Sequence, residues 1–322
     1  MRNALLLAGL SALALAGCGG KKNVTANPTP GAPPPTPGSK TFKIGYSQST
    51  LQDPWRKAMN SELETEEKNH PNAKVLKQDA QNVASNQVNQ VENLNTQGID
   101  ALMISPVESA PLTPEVTKIY KKGIPVILLD RATDNDQYTS LVGADNVLIG
   151  KMAGEYVKKA YPKGAKIIEI AGIAGATPTK ERAKGFREGI GNDPKYSILA
   201  SQPGNYLRGK AIEVFQTMFT AHPDVEVVYA HNDEMALGAS GVLDKAGKLK
   251  DVAVIGVDGQ KEAIQAVAAG KMAATFVYPR PGADGLKAAL DALNGKKVEK
   301  RIVLPTTEIT KANAAANLTK GF

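Results

Sequence analysis

The stretch Val225–Gly238, VEVVYAHNDEMALG, contains the unit from which most of the chain is built. Its first part, Val225 to Ala230, has the apolar, β-branched composition of a buried strand. The polar residues Asn232 and Asp233 follow directly, and a helical pattern then continues to Gly238. A buried strand, polar residues at its carboxyl end and a following helix are the components of a parallel α/β sheet.

The same unit recurs on both sides of this stretch. Strands are predicted at Phe42 to Tyr46, Ala101 to Ile104, Pro125 to Leu129, Lys166 to Ile170, Ser197 to Ser201 and Val252 to Val257. Helices are predicted to begin near Pro54, to span Asn82 to Gln97 with Val83, Val88, Val91 and Leu94 on one face before Gly98, and to lie near Lys180 to Gly189. This alternation predicts a parallel sheet with helices on both faces.

Polar residues collect at the carboxyl ends of the predicted strands. They are Ser47-Gln48, Ser105-Pro106, Asp130-Arg131, Asn232-Asp233 and Asp258-Gly259. Each pair alone could be a helix cap or a loop charge, but five pairs together indicate a ligand crevice. Open doubly wound sheets place the crevice at this edge. A closed eight-stranded barrel does the same and remains the alternative fold.

The amino terminus has the pattern of an export signal. Arg2 supplies a positive charge, and the apolar run from Ala4 to Ala16 follows it. A helix of that length measures about 20 Å, which is short of the roughly 20 residues needed to cross a bilayer. Residues 1–17 are therefore predicted to be a signal peptide.

Cys18 is the single cysteine of the chain and directly follows Leu15-Ala16-Gly17. This spacing resembles the bacterial lipoprotein box, and the resemblance implies that Cys18 becomes the lipidated first residue of the mature protein. The alternative is an ordinary secretory signal with a chance cysteine. Residues 18–40 contain prolines 28, 30, 33, 34, 35 and 37 and predict a semi-rigid linker. The body would thus work outside the cytoplasm, tethered to a membrane.

Composition and charge narrow the class of protein. A chain of 322 residues with 42% hydrophobic residues can form two globular domains. The net charge of +7 looks basic, but four of the 39 basic residues and no acidic residue lie in the first 40 positions. The body then has 35 basic against 32 acidic residues and no basic run. This balance argues against nucleic acid as a partner.

Catalytic patterns are weak. The glycine-rich segment 172–180, GIAGATPTK, lacks the Gly-Lys-Ser/Thr sequence of a phosphate-binding loop. His70 and His222 each precede a proline at a predicted surface turn. No serine lies in a Gly-x-Ser-x-Gly elbow, and no cluster of His, Cys and carboxylates suggests a metal. The sequence therefore predicts no enzyme, no cofactor and no metal site.

The remaining polar residues suit a neutral polyol. Asp, Arg and Asn can form paired hydrogen bonds to adjacent hydroxyl groups, and a flat aromatic ring packs against sugar C–H groups. Trp55, the single tryptophan, lies just after the first strand and beside Arg56. Asp130-Arg131 ends an apolar strand, where charges are unexpected unless they line a cleft.

Four segments resemble the periplasmic sugar-binding proteins of the ribose type, which are the ligand receptors of ABC importers. They are Leu129-Asp130-Arg131, Glu181–Phe186, His231–Gly238 and Val257-Asp258-Gly259. The resemblance implies two similar doubly wound α/β lobes, 41–145 with 279–305 and 146–278 with 306–322, joined by a three-strand hinge. It also implies ligand contacts from Asp53, Trp55, Arg56, Asp130, Arg131, Arg182, Asn205, Tyr206, Asn232, Asp258 and Tyr278, with Trp55 as the stacking platform.

Three positions depart from the ribose type. Arg56 follows Trp55 where a second aromatic residue is usual, Val257 lies where an aromatic residue is common, and Tyr278 replaces an expected amide. Trp55-Arg56, with the preceding strand end, is more similar to the galactofuranose-binding branch. The predicted cleft contains three aspartates and three arginines, a balance that suits an uncharged sugar.

These observations predict a lipid-anchored, periplasmic or cell-surface receptor, working as a monomer, that delivers a monosaccharide to the permease of an ABC importer. The first alternative is a sensory receptor of the same fold coupled to a membrane kinase. The second is an exported carbohydrate-active enzyme, which would require paired catalytic carboxylates. A sugar-responsive repressor is disfavoured because no helix-turn-helix precedes Thr41 and the signal segment predicts export.

Overall fold

The computed structural model describes residues 40–322. The predicted signal peptide 1–17, the predicted lipidation site Cys18 and all of the linker except Lys40 lie outside the described residues. No helix among residues 40–322 is long and apolar enough to cross a membrane.

The described chain forms two open six-stranded sheets. The strands of the first sheet are β1 (Phe42–Gln48), β2 (Ala73–Asp79), β3 (Ala101–Ile104), β4 (Val126–Leu129), β5 (Ser140–Gly143) and β11 (Arg301–Val303). Their order is β11-β5-β4-β3-β1-β2, and all pairs are parallel. The apolar strands β3 and β4 are buried on both faces, as the sequence predicts.

The second sheet repeats this topology. Its strands are β6 (Ala165–Ala171), β7 (Tyr196–Pro203), β8 (Val227–Ala230), β9 (Ala253–Ile255), β10 (Ala274–Phe276) and β12 (Glu308–Thr310), in the order β12-β10-β9-β8-β6-β7. In both sheets the strand order reverses next to the first strand, β1 or β6. Such a reversal creates a crevice at the carboxyl ends of the strands.

One strand departs from the predicted parallel arrangement. β12 is antiparallel to β10, whereas β11, which precedes it, is parallel to β5. The carboxyl ends of the two sheets face each other, so a chain that runs out of the first sheet enters the second from its carboxyl edge. β12 therefore runs against its neighbour.

Ten helices cover the two sheets within residues 40–322. They are α1 (Pro54–Lys68), α2 (Ala84–Thr96), α3 (Ser109–Lys121), α4 (Asn146–Ala160), α5 (Thr177–Gly189), α6 (Arg208–Ala221), α7 (Asp233–Lys245), α8 (Lys261–Ala268), α9 (Gly282–Leu293) and α10 (Ala314–Asn317). Pro54 begins α1, as predicted. The predicted face of α2 is partly wrong: Val83 precedes the helix and is 43% exposed, whereas Gln87, Val91 and Leu94 are buried.

The chain crosses between the sheets three times, after β5, after β10 and between β11 and β12. Helix α4 packs on α5 beside the second sheet, and α9 returns to pack on α1 and β4 beside the first. We call the first sheet with its helices the N-terminal lobe and the second sheet with its helices the C-terminal lobe. Two separate open sheets confirm the predicted doubly wound fold and exclude the single closed barrel.

Candidate ligand-binding cleft

A cavity lies between the two lobes, at the carboxyl ends of the strands. It is lined by Asp53, Trp55, Arg56, Asp130, Arg131, Pro178, Arg182, Tyr206, Asn232, Asp258 and Tyr278. Ten of the eleven residues that the sequence predicts at the site therefore meet at one place. Asn205 does not: its side chain is exposed, and the neighbouring Tyr206 lines the cavity instead.

The wall from the N-terminal lobe consists of Asp53, Arg56, Asp130 and Arg131, and we call it the N-lobe wall. Asp53 caps α1 by accepting a hydrogen bond from the backbone N–H of Arg56 at 2.8 Å. This cap fixes the first turn of the helix, from which the Arg56 side chain reaches the carboxylate of Asp130. Arg56 also donates to Ser105 Oγ at 2.9 Å.

Asp130 lies at the centre of the N-lobe wall. Its φ of 68° is unusual for a non-glycine residue and turns the chain sharply at the end of β4. Burial alone would raise the pKa of this carboxyl, but the charges of Arg56 and Arg131 lower it below its ordinary value. Asp130 therefore remains ionised and neutralises its neighbours.

Arg131 is held mainly by backbone groups. Its Nη1 donates to the carbonyl oxygens of Pro106 at 3.2 Å and Val107 at 3.0 Å. Its buried Nε has no hydrogen-bond partner among the described residues. Burial and the neighbouring Arg56 lower the pKa of Arg131. Arg131 thus lines the cavity with one donor that no protein group within residues 40–322 satisfies.

The opposite wall comes from the C-terminal lobe and consists of Arg182, Tyr206, Asn232 and Asp258; we call it the C-lobe wall. Arg182 is 2% exposed on α5. It donates from Nε to Asn146 Oδ1 at 2.9 Å and from Nη1 to the carbonyl oxygen of His231. These bonds hold the guanidinium but leave its charge without a directly bonded carboxylate.

Close contact between α4 and α5 fixes the position of Arg182. A Cβ at Gly150 on α4 would lie 2.3 Å from the carbonyl oxygen of Arg182, and one at Gly185 on α5 would lie 2.0 Å from that of Val147. Both positions therefore require glycine for the two backbones to touch. This close packing brings Asn146, the first residue of α4, within hydrogen-bonding distance of Arg182.

Asn232 has two roles in the C-lobe wall. Its Oδ1 caps α7 by accepting from the backbone N–H of Met235 at 3.0 Å. Its Nδ2 donates to the carbonyl oxygen of Tyr206 at 3.2 Å. The Tyr206 ring in turn lies 5.6 Å from the guanidinium of Arg131 in the other lobe. The Asn232 side chain therefore both caps a helix and lines the cavity.

Asp258 is the carboxylate of the cavity that has no protein donor. It is 6% exposed, and no hydrogen bond to its side chain is formed within residues 40–322. Burial raises the pKa of Asp258 well above its ordinary value, and the nearby Asp233 raises it further. Asp233 lies behind it and accepts hydrogen bonds from Thr275 Oγ1 and the backbone N–H of Gln260.

Trp55 joins the N-lobe wall to the hinge. Its ring stacks on Tyr278 with centroids 5.0 Å apart, and its Nε1 donates to the Tyr278 carbonyl oxygen at 2.9 Å. The Arg56 guanidinium lies 4.7 Å from the indole centroid. The indole is only 5% exposed, so protein groups already cover most of the surface that was predicted to stack on a ligand.

Direct hydrogen bonds join the two lobes beside residues that line the cavity. Ser109 N donates to the carbonyl oxygen of Gly175 at 3.1 Å, and Ala132 N donates to Thr177 Oγ1 at 3.0 Å. Ser109 and Ala132 belong to the N-terminal lobe, and their acceptors belong to the loop before α5 and its first turn. The two lobes are therefore in direct contact in this structure.

Sequence reasoning missed three parts of this site. Pro178 lines the cavity from the segment that fails as a phosphate loop. Asn146 contacts two cavity residues but lies in a helix start that resembles many others. His231 is fully buried and bonds Glu169 at 3.1 Å behind Asn232. Strand-end position could have identified His231, but nothing in the pattern marks Asn146.

The arrangement can bind a compact polar molecule. Donors from the arginines and acceptors from the aspartates face each other across the cavity, with aromatic rings at its side. Among the described residues, no group of three or more His, Cys, Asp or Glu side chains is placed to hold a metal ion. The chemistry of the site is that of hydrogen bonding to a ligand with several hydroxyl groups.

Comparison with known proteins places the chain in a family. Residues 44–297 match the model of the periplasmic binding protein domain. The ribose import binding protein of Bacillus subtilis is 39% identical over 269 residues, covering 83% of this chain and 86% of its own length. The galactofuranose-binding protein of Escherichia coli is 34% identical over 238 residues, covering 71% and 74%.

Solved structures agree with the sequence relatives. The fructose-binding periplasmic domain of a hybrid two-component system has a TM-score of 0.83 and 35% identity, covering 87% of this chain and 94% of its own. A solute-binding protein of an ABC transporter from Bacillus halodurans, with bound myo-inositol, has a TM-score of 0.84 and 30% identity, covering 88% and 100%. The relatives are binding proteins rather than enzymes, which confirms the prediction of a non-catalytic site. The chain belongs to the periplasmic binding protein family.

Proposed function

We propose that this protein binds a neutral monosaccharide between its two lobes and delivers it to an ABC importer. The observation that carries the proposal is the cavity, where three aspartates, three arginines and aromatic rings from both lobes converge. The ribose import binding proteins of Bacillus subtilis and Escherichia coli, at 39% and 40% identity, support the same function. Membership of this family also supports a location outside the cytoplasm.

The charge balance favours an uncharged ligand. The cavity carries Asp53, Asp130 and Asp258 against Arg56, Arg131 and Arg182. A sugar phosphate or a sugar acid would add a negative charge to a site that has no surplus of positive charge. Hydroxyl groups can both donate and accept, and they can therefore satisfy the unpartnered Nε of Arg131 and the carboxylate of Asp258.

Binding would couple to closure of the lobes, residues 41–145 with 279–305 against residues 146–278 with 306–322. A ligand that contacts both walls binds the closed form better than the open form, so it shifts the population toward closure. The hydrogen bonds between the lobes, from Ser109 to Gly175 and from Ala132 to Thr177, would stabilise the same form. The closed protein is the form that a permease would distinguish from the empty one.

The direct test is a fluorescence titration of the purified protein with pentoses, hexoses and myo-inositol. Trp55 is the single tryptophan and lines the cavity, so its emission reports on ligand entry. A saturable change with one sugar would support the proposal. A hundredfold excess of that sugar over its Kd should also add about 2.7 kcal/mol to the free energy of unfolding. If no sugar of the panel changed the fluorescence or the free energy of unfolding, the proposal of a sugar ligand would be contradicted.

Arg131→Ala tests the assignment of the cavity residues. Loss of this guanidinium removes a charged donor, and we expect binding to fall below detection while unfolding remains cooperative. Arg208→Ala is the matched control, because Arg208 pairs with Glu234 and Glu262 away from the cavity. Retained affinity in Arg131→Ala, or equal loss in both variants, would exclude Arg131 from the site.

The lipid anchor is a separate part of the proposal. Cys18 follows a signal-like segment with the spacing of a lipoprotein box. We expect the protein to incorporate labelled fatty acid and to fractionate with membranes, and Cys18→Ser to lose both properties while binding the same sugar. A wild-type protein that carries no label would support the ordinary secretory signal.

A sensory role is the second candidate. The fructose-binding domain with a TM-score of 0.83 belongs to a hybrid two-component system, so a closely similar fold serves signalling there. The liganded protein can be added to membranes that contain either a cognate ABC importer or a cognate sensor kinase. Stimulated ATP hydrolysis by the importer would support delivery, and stimulated kinase autophosphorylation would support sensing.

A further inference from the structure

A continuous chain of hydrogen bonds connects the two walls of the cavity through the hinge. Arg182 donates from Nε to Asn146 Oδ1 at 2.9 Å, and Asn146 donates from Nδ2 to the hydroxyl of Tyr278 at 3.1 Å. Tyr278 donates its hydroxyl proton to Asp130 Oδ1. We call Arg182, Asn146, Tyr278 and Asp130 the hinge relay. All four residues are at most 4% exposed.

The relay spans the hinge rather than one lobe. Asp130 follows β4 in the first sheet, whereas Arg182 lies on α5 beside the second. Asn146 begins α4 directly after the first crossover, and Tyr278 follows β10 at the second crossover. The two middle members are thus placed where the chain passes between the lobes.

Each group in the relay has one possible orientation. An arginine only donates and an ionised carboxylate only accepts, so the direction is fixed at both ends. The single hydroxyl proton of Tyr278 goes to Asp130, and the hydroxyl must therefore accept from Asn146. If the Asn146 amide were flipped, its NH₂ group would face the N–H of Arg182, and two donors would meet. Its oxygen would face the Tyr278 hydroxyl, whose proton is already donated to Asp130. The relay is consistent in a single direction, from cation to anion.

The relay also accounts for both oxygens of Asp130. Oδ1 accepts from Tyr278, and Oδ2 accepts from Arg56. Arg56 and Tyr278 are two of the three positions at which this sequence departs from the ribose type, and both contact this one carboxylate. Asp258, in contrast, has no donor among the described residues and is the cavity carboxylate open to a ligand.

We infer that Tyr278 and Asn146 are positioning residues that act as one unit. They hold Asp130 of the N-lobe wall and Arg182 of the C-lobe wall at a fixed separation, so that the ligand meets a prearranged set of charges. The hydroxyl of Tyr278 then works within the protein, and Asp258 is the main acceptor for ligand hydroxyl groups. This inference rests on the proposed function, but the relay itself can be tested without a ligand.

The first variants are Tyr278→Phe, Asn146→Leu and the double variant. Tyr278→Phe keeps the ring that stacks on Trp55 and lies 4.2 Å from the Arg182 guanidinium. Each single change interrupts the same relay, so we expect each to weaken sugar binding about tenfold and the double change to weaken it about tenfold as well. Additive losses, approaching a hundredfold, would show two independent contributions and would overturn the inference.

Asn146→Asp tests the direction of the relay. Its carboxylate accepts from Arg182 but cannot donate to Tyr278. The tyrosine hydroxyl would then turn to residue 146 and leave Asp130. We expect this variant to lose as much affinity at neutral pH as Asn146→Leu does. Wild-type affinity in Asn146→Asp would overturn the assigned direction.

Tyr229→Phe is the matched control for hydroxyl removal. The Tyr229 side chain is fully buried, its ring stacks on Phe186 at 4.2 Å, and its hydroxyl has no partner within the described residues. We expect its sugar affinity to stay within about twofold of wild type. A tenfold loss here would show that Tyr278→Phe reports only a general effect of a missing hydroxyl.

Urea unfolding of the ligand-free protein tests the unit directly. We expect the double variant Tyr278→Phe/Asn146→Leu to be half unfolded at about the same urea concentration as the less stable of the two single variants. Tyr229→Phe/Asn146→Leu should instead show additive shifts. If the wild type binds no sugar but the relay shows this coupling, the proposed function fails and the relay stands. Additive shifts in the relay pair would overturn the relay.

Discussion

The two walls of the cavity hold similar side chains in different ways. The N-lobe wall neutralises itself, because Asp130 binds Arg56 and lies 3.7 Å from Arg131 Nε. The C-lobe wall keeps its charges apart: Arg182 bonds an amide and a carbonyl oxygen, and Asp258 bonds no donor among the described residues. One wall is therefore mainly a preformed ionic scaffold, whereas the other offers its charge to a ligand.

This difference teaches that equal residue types need not have equal roles. A buried carboxylate that already has two donors is costly to remove, because its loss leaves buried cations unpaired. A buried carboxylate without donors lowers stability until a ligand supplies them. Substitutions of Asp130 and Asp258 should accordingly separate folding from binding.

The largest effect is expected for Asp130→Asn. The change removes the counterion of two buried arginines, Arg56 and Arg131, and it also weakens the acceptor of Tyr278. Breaking a buried pair in this way costs about 3–5 kcal/mol. Urea unfolding should show a loss of this order together with loss of sugar binding. A variant that is as stable as wild type would contradict the scaffold role of the N-lobe wall.

Asp258→Asn should affect binding more than folding. The carboxylate has no protein donor to lose, and its burial next to Asp233 is unfavourable in the charged form. A charged hydrogen bond to a ligand hydroxyl contributes about 1.5–3 kcal/mol, so we expect the Kd to rise at least about tenfold. The free energy of unfolding should stay equal or increase. Calorimetric titration and urea unfolding of the same preparation measure both quantities.

Local rules predicted the parallel α/β sheet and part of the cavity, whereas the two-lobe arrangement and the contacts of Arg182, Tyr206 and Tyr278 were implied by the family resemblance. Apolar strands followed by polar residues indicated where each strand ends, and parallel topology brings those ends together. This reasoning placed Asp130, Asn232 and Asp258 at one edge. It could not reveal the antiparallel β12, because its direction depends on how the two sheets face each other.

The pairing of charges could not be predicted either. Arg56 and Asp130 are 74 residues apart, and Tyr278 is 148 residues from Asp130. No local pattern states that these three side chains share one carboxylate, and composition alone presents the six cavity charges as equivalent. Asn205 and Tyr206 show the same limit, because adjacent residues in one turn differ in whether they face the cavity or the solvent.

Stability should depend on pH through Asp233, which lies behind the C-lobe wall. Burial raises its pKa to about 7, although hydrogen bonds from Thr275 and Gln260 lower it. The folded state therefore keeps a proton that the unfolded state releases above about pH 4. The resulting stability is present at low pH and is lost as the pH rises through 7.

Asp233→Asn should reduce this loss. Its amide can donate to Thr275 Oγ1 and its oxygen can accept from Gln260, so the local geometry is preserved. We expect wild type to lose more unfolding free energy than the variant between pH 5 and pH 8. His231, whose pKa burial lowers, titrates in both proteins. Asp233 also raises the pKa of Asp258, so the variant should lower the pKa of Asp258 as well, and the difference in slope reports on the two carboxyl groups together. Equal slopes in urea titrations would contradict the raised pKa values of this pair.

The smallest effects on stability are expected for residues that cap helices. One of these residues belongs to a cavity wall, and another does not. Asp145 caps α4 through the backbone N–H of Leu148 at 2.9 Å and does not line the cavity, whereas Asn232 caps α7 and does. Either residue changed to Ala should cost about 1 kcal/mol of unfolding free energy, because each loses one cap. Only Asn232→Ala should also weaken sugar binding, since its Nδ2 supports Tyr206 beside the ligand. Equal affinities in the two variants would mean that Asn232 serves its helix alone, and the C-lobe wall would then depend on Arg182 and Asp258 for its polar contacts.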